Sequence, residues 1–289
     1  MIAASLRALL TERIDYAGLF PPAALSMREA VANYAAYRVS SDAWALARFI
    51  LPVVRLEEFA ADAAPHLGGP PWRLAVLAQA TDADAIRAFN ARLAGRAVID
   101  TVESRAATAD DVEALAALAS LASVYVELPV RDNSESLVHA VAASGLRAKI
   151  RTGGVTAESF PATGDVARFL AVCARQRVLL KATAGLHHPL CGEYPLTYEA
   201  DAARGAMYGF LNVFLAASFA RRGLPESTLQ ELLGERTVGA FQFDDDSLTW
   251  RGHSLTASEL ADDRTGFAVS FGSCSFREPL DDLRALLHS

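Results

Sequence analysis

The stretch Val178–Cys191, VLLKATAGLHHPLC, decides how the chain is read. Three apolar residues, Val178, Leu179 and Leu180, form a strand-like run that delivers Lys181 and Thr183 and ends in the pair His187-His188. An amine and two imidazoles at the mouth of a buried strand cost free energy unless they are paired or used. The segment is therefore expected to be a strand that ends in a site.

Working outward, the same alternation recurs. Immediately upstream, Leu146–Thr152 (LRAKIRT) reads as a strand broken by Gly153-Gly154, followed by a helix from Asp165 to about Arg175. Earlier strands are expected at Ile14–Phe20, Arg48–Val54, Trp72–Gln79, Arg96–Val102 and Val124–Leu128, each followed by a helical pattern. Ser26 is placed to cap the first of these helices and Thr81 a later one. Downstream, Phe267–Ser273 (FAVSFGS) is the eighth strand and Glu278–Leu287 the closing helix. Eight β runs joined by connections long enough for right-handed crossovers predict a closed (β/α)8 barrel, a TIM barrel, with residues 1–289 as one domain.

One connection is too long. About eighty residues separate the seventh and eighth strands, where a βαβ crossover needs about thirty. An apolar helix is expected over Asp201–Arg221, a second over Pro225–Leu233, and a hairpin in FQFDDDSLTWRGHSLT at Phe241–Thr256. Residues 222–265 read as an inserted helix and hairpin elaboration, a lid or a dimer arm. The uncharged run Gly205–Ala220 is too short to span a bilayer and suggests a homodimer contact or a buried helix.

Composition narrows the partners. A hydrophobic fraction of 52%, with 21% charged residues, supplies core and surface for a globular protein, and the net charge of −7 carries no basic block. Nucleic acid and anionic membranes are thus not expected as partners, which leaves a small-molecule substrate. The three cysteines, Cys173, Cys191 and Cys274, are odd in number and form no CxxC pair, so a reducing cytoplasm is the expected location. No cofactor motif is read, and no metal is assigned.

Collected at the strand ends, the polar residues include Asp15, Arg55, Gln79, Glu103, Glu127, Lys149 and Arg151, Lys181 and Thr183, and Ser273, Cys274 and Ser275. Strand alternation puts Lys149 and Arg151 on one face and Lys181 and Thr183 on one face of the next strand. With those faces inward, two ammonium groups crowd one rim. Their repulsion, with desolvation, is expected to lower a lysine pKa into the catalytic range, so that a neutral amine attacks a carbonyl and forms an imine. Glu127, flanked by apolar residues in VYVEL, is expected inside in preference to Glu103, as a proton carrier.

The order of LRAKIRTGG, LLKATAG and AVSFGSCS, from about Ala148 onward, resembles deoxyribose-phosphate aldolase and related class I aldolases. The resemblance implies a TIM barrel with a Schiff-base lysine in a K-T-S-T-G-like strand end, a second lysine on the following strand, and a glycine-serine strand end that helps bind phosphate. By strand count the Schiff-base lysine corresponds to Lys149; by local motif it corresponds to Lys181. The chemistry implied is that of a lyase acting on a small carbonyl compound, anionic or phosphorylated. Lys149, Lys181, Glu127 and His187 would be catalytic, and Arg151, Thr183, His188, Ser273 and Ser275 would contact substrate.

Other readings stand beside it. Lys149–Glu127 or Lys181–Glu127 would serve as a structural salt bridge. His187 and His188 would serve a metal-dependent hydrolase or isomerase, although adjacent histidines on an extended segment point apart. A non-catalytic small-molecule-binding barrel is the third.

Overall fold

Apolar residues on alternating strand positions and on one stripe of each helix must bury against one another, and here they close a barrel. The structure, a computed structural model, describes residues 2–131 and 134–288. Seven strands, β1 (Ile14–Tyr16), β2 (Leu46–Pro52), β3 (Trp72–Leu77), β4 (Ala97–Arg105), β5 (Ser123–Glu127), β6 (Arg147–Arg151) and β7 (Leu180–Thr183), pair in parallel in sequence order. The closing strand, Ala268–Ser273, pairs in parallel with β7 and β1 and completes the ring. The fold is the expected (β/α)8 barrel.

The main core lies outside the ring, between the strands and the helices. Phe49 on β2, Phe59 on the following helix and Trp72 on β3 pack as an aromatic cluster, with ring centroids 5.5 Å apart for Phe49–Phe59 and 5.8 Å for Phe59–Trp72. Tyr34 joins it and donates its hydroxyl hydrogen to the Ala47 carbonyl. Ser26 caps the helix Met27–Arg38 through a capping box with Glu29, as its sequence position suggests. At the later helix the cap differs: Gln79 and Asp82, not Thr81, form the reciprocal pair ahead of Ala83–Arg92.

The long connection departs from expectation. The apolar helix spans Phe210–Arg221, not Asp201–Arg221, because Arg204–Met207 is an antiparallel strand paired with Gly192–Pro195. Gly209 marks the break: a Cβ there would lie 2.3 Å from the Cα of Leu190, so only glycine lets the two segments touch. Every helix residue from Phe210 to Ala220 is buried, packed against the helices Thr163–Gln176 and Glu226–Leu233. Its apolarity is thus satisfied within one chain, which removes the reason for reading it as a homodimer contact.

The extra secondary structure therefore begins at Gly192 and not at residue 222. The expected hairpin is a three-stranded sheet, Phe241–Phe243, Ser247–Trp250 and His253–Thr256. It sits against the N-terminal helix Ala4–Leu10, where the Ala4 N–H donates to Asp245 Oδ1 (2.8 Å) and the Ser5 hydroxyl to the Asp244 carbonyl. That helix runs directly into the N-terminal end of β1, so the sheet is at the floor of the barrel and is no lid over its mouth. Among the described residues no helix is long and apolar enough to cross a membrane.

Candidate active site

Barrel interiors are ordinarily filled by layers of branched apolar side chains. Here the β4–β7 side carries charge. In the strand register Glu127 lies beside Lys149, and Lys149 beside Lys181, so the three point inward from one level. Glu103 reaches the same level from β4, and Asp15 from β1.

The groups form a ladder of alternating sign. Lys181 Nζ donates to Asp15 Oδ2 at 2.7 Å and to Glu103 Oε1. Lys149 Nζ lies 2.7 Å from Glu103 Oε2 and 2.9 Å from Glu127 Oε2. Glu127 Oε1 then accepts from Arg151 Nε (3.0 Å) and Arg105 Nε (3.1 Å). At the other end Asp15 accepts from the Ser270 hydroxyl (2.6 Å) and, through Oδ1, from the Arg48 backbone N–H (2.9 Å). Asp15, Glu103 and Lys181 are each at most 2% exposed.

This arrangement overturns the expected repulsion. Between the two ammonium groups stands Glu103, so each lysine faces carboxylates. Burial alone would push the Lys181 pKa down, but Asp15 and Glu103 outweigh it and raise it above the ordinary lysine value. Burial likewise opposes ionisation of Glu103, and the two lysines overcome it and hold that carboxyl down, at about 2. Glu127 is also lowered: burial works against it, and Lys149 and then Arg151 prevail.

Above the ladder a cavity of about 380 Å³ opens at the C-terminal end of the strands, where TIM-barrel sites lie. Its charged wall is Glu103, Lys149 and Arg151; Ile50 and Leu77 lie on an apolar wall; Thr183, His187 and Cys274 also line it. Lys181 does not line it. The loops after β6 and β7 meet at Gly153 and Gly185, where a Cβ on Gly185 would come within 2.8 Å of the Phe160 ring. Gly185 has φ +73°, and Ala184 beside it is held at φ +63°, a conformation that disfavours a side chain. The Thr152 hydroxyl fixes this turn by donating to the Ala184 carbonyl at 2.7 Å.

The two histidines part company. His187 lines the cavity, and its Nδ1 lies 3.1 Å from Glu278 Oε2 and 4.0 Å from Cys274 Sγ. Burial pulls its pKa down, but Cys274 and Glu278 raise it to about 9. The Tyr198 hydroxyl, from the segment joining the two strands Gly192–Pro195 and Arg204–Met207, donates to the same Glu278 oxygen at 2.7 Å. His188 turns away from the cavity: its Nδ1 is 2.5 Å from Asp282 and its ring stacks on Tyr194 at 3.5 Å. Among the described residues no group of three or more His, Cys, Asp or Glu is arranged to hold a metal ion.

Of the residues singled out from sequence, Lys149, Lys181, Glu127 and Arg151 join one ion-paired network, and Thr183 and His187 line the cavity above it. His188, Ser273 and Ser275 are outside it. The Ser275 hydroxyl accepts from the Glu278 N–H at the start of the last helix, while Ser273 alternates with cavity-lining Gly272 and faces away from the interior, its buried hydroxyl unpaired among the described residues. Sequence reasoning undervalued Glu103 and Asp15. Glu103 turns inward because Asp100 is an extra residue in β4: Leu74 pairs with Ile99 but Ala75 with Thr101, and this bulge inverts the alternation beyond it. Asp15 carries the same signal as Glu127, a carboxylate between apolar neighbours in Ile14-Asp15-Tyr16.

No family model matches the chain, and no curated protein matches its sequence. The resemblance to class I aldolases thus stands on the strand-end motifs alone. Among solved structures the chain is similar to a lysine/ornithine decarboxylase complexed with cadaverine from Vibrio vulnificus. Identity is 12% over 80% of this chain, with a TM-score of 0.43, and the chain spans only 57% of that protein's length. The closed ring of eight parallel strands is itself the barrel.

Proposed function

We propose that this barrel is an enzyme acting on a small carbonyl compound, and that Lys149 forms an imine with it in the manner of class I aldolases. The observation that carries the reading is that Lys149, alone of the two lysines, lines the mouth cavity while its ammonium is held between two carboxylates. A buried ion-pair network adds little stability compared with apolar packing of the same volume, so its cost points to use. On this reading Lys149, the match by strand count, takes the role of the Schiff-base lysine, and Lys181 that of the second lysine.

The chemistry balances without net proton release. A lysine ammonium and a carbonyl give a protonated imine and water, with two protons moving from nitrogen to the departing oxygen. Glu127 and Glu103, each within 3 Å of Nζ, are placed to carry them. The protonated imine then withdraws electrons from an adjacent C–C bond, so that the bond breaks or, in reverse, forms. His187, with Nδ1 engaged by Glu278, has Nε2 left to exchange a proton with the bound molecule. Lys181 stays below, fixing Glu103 and Asp15. The metal-dependent reading loses its basis, since His187 and His188 bind different carboxylates.

Borohydride reduction in the presence of a panel of aldehydes and 2-oxo acids tests this. Mass spectrometry is expected to find a reduced adduct on the Lys149 peptide, absent from Lys149→Ala. An adduct on Lys181, or none with any carbonyl, overturns the proposal.

A further inference from the structure

We infer that the groove outside Glu127, between the ends of β4 and β6, is an anion subsite built by Arg105 and Arg151. It would receive a carboxylate or phosphate group of the same molecule whose carbonyl end occupies the cavity; that second clause rests on the imine reading, whereas the anion site itself does not.

The groove, of about 750 Å³, adjoins the mouth cavity and shares Arg151 and Ser159 with it. Glu127 stands at their junction. Both guanidiniums grip this one carboxylate by their inner edge: Arg105 through Nε alone, Arg151 through Nε and, at 3.5 Å, Nη2. Among the described residues, both terminal nitrogens of Arg105 and Nη1 of Arg151 make no other hydrogen bond. A guanidinium offers five donors in a planar fork that matches carboxylate and phosphate oxygens, so the outer edges are preorganised for an anion.

Charge bookkeeping points the same way. The ladder holds three carboxylates, Asp15, Glu103 and Glu127, against four cations, Lys181, Lys149, Arg151 and Arg105. Its inner members are matched, so the fourth cation of the ladder stands at the groove end. Two further carboxylates line the groove: Asp111, which accepts from the backbone N–H groups of Ala107 and Thr108 at a helix start, and the solvent-exposed Glu158; among the described residues neither forms an ion pair with Arg105 or Arg151. Arg131 on the rim adds a further cation. The side chains of Arg105 and Arg151 are 73% and 40% exposed, so an incoming anion displaces water and not protein partners.

This assignment differs from the expectation that Ser273 and Ser275 receive the anion. Neither serine lines the cavity: Ser273 faces outward, and the Ser275 hydroxyl is engaged by the Glu278 N–H.

Isothermal titration of the intact protein with inorganic phosphate and, separately, with succinate at low ionic strength tests the subsite. Saturable millimolar binding of at least one anion is expected. Preference for phosphate identifies a phosphorylated substrate class, and preference for succinate a carboxylate class. Arg105→Ala, whose side chain is mostly in solvent and whose loss spares the fold, is expected to weaken binding about fivefold, and the double Arg105→Ala/Arg151→Ala variant more than tenfold. Lys149→Ala is expected to retain binding, so a failed imine trap with anion binding intact rejects the enzyme reading and keeps the subsite. Saturable binding of neither anion, or equal affinity in Arg105→Ala, overturns the subsite.

Discussion

The two walls of the mouth cavity are built on opposite principles. On the β1–β3 side, Ala17, Ile50 and Ala75, with Phe20 and Leu77 against them, form a small apolar cluster separate from the main core. Opposite it stands the charge ladder, with Glu103, Glu127, Lys149 and Lys181 on β4–β7 and Asp15 of β1 at its end. Each wall serves the other: apolar surface lowers the local dielectric, which strengthens every charge interaction facing it. On the imine proposal, a molecule in the cavity would meet Ile50 and Leu77 with its apolar flank and Lys149 with its carbonyl carbon.

The comparison breaks most sharply if the centre of the charged wall is removed. Glu103→Ala leaves two buried ammonium groups facing each other, and a loss of about 3–5 kcal/mol in urea unfolding is expected. A loss under about 1 kcal/mol would mean that the ladder is far better hydrated than its burial indicates.

A smaller effect is expected at His187, at the edge of both walls. Its pKa is raised in the fold from the ordinary 6.5 to about 9. The stability it contributes is therefore complete below about pH 6.5 and is lost as pH rises through about 9. Wild type should exceed His187→Gln by on the order of 1–3 kcal/mol at pH 6, a gap that closes by pH 10. Urea midpoints across that range decide it; a gap that widens in alkali contradicts the ion pair with Glu278.

The smallest effect belongs to the apolar wall. Ile50→Val removes one methylene from a packed surface and should cost about 0.5–1.5 kcal/mol. The imine trap on Lys149 should persist in that variant, because the charged wall is untouched.

Much of the site is legible in particular residues. Lys149, Arg151, Lys181 and Thr183 follow from period-two alternation on β6 and β7, and Glu127 from the apolar residues around it in VYVEL. Their partners are not legible in the same way. Glu103 depends on a single inserted residue, Asp100, that reverses the parity of β4, and no local propensity announces such a bulge. Arg105 looks like an ordinary surface arginine until the strand register sets it beside Glu127.

The chain order of apolar runs, glycine breaks and caps determined the barrel by itself, because burial of one strand face and one helix stripe has few closed solutions. Tertiary structure alone decided the electrostatics. Whether two lysines on adjacent strands repel or are bridged depends on what a third strand, far away in sequence, places between them. In this protein Glu103 stands there, and it converts an expected pair of repelling ammonium groups into an ion-paired ladder with one lysine open to the cavity.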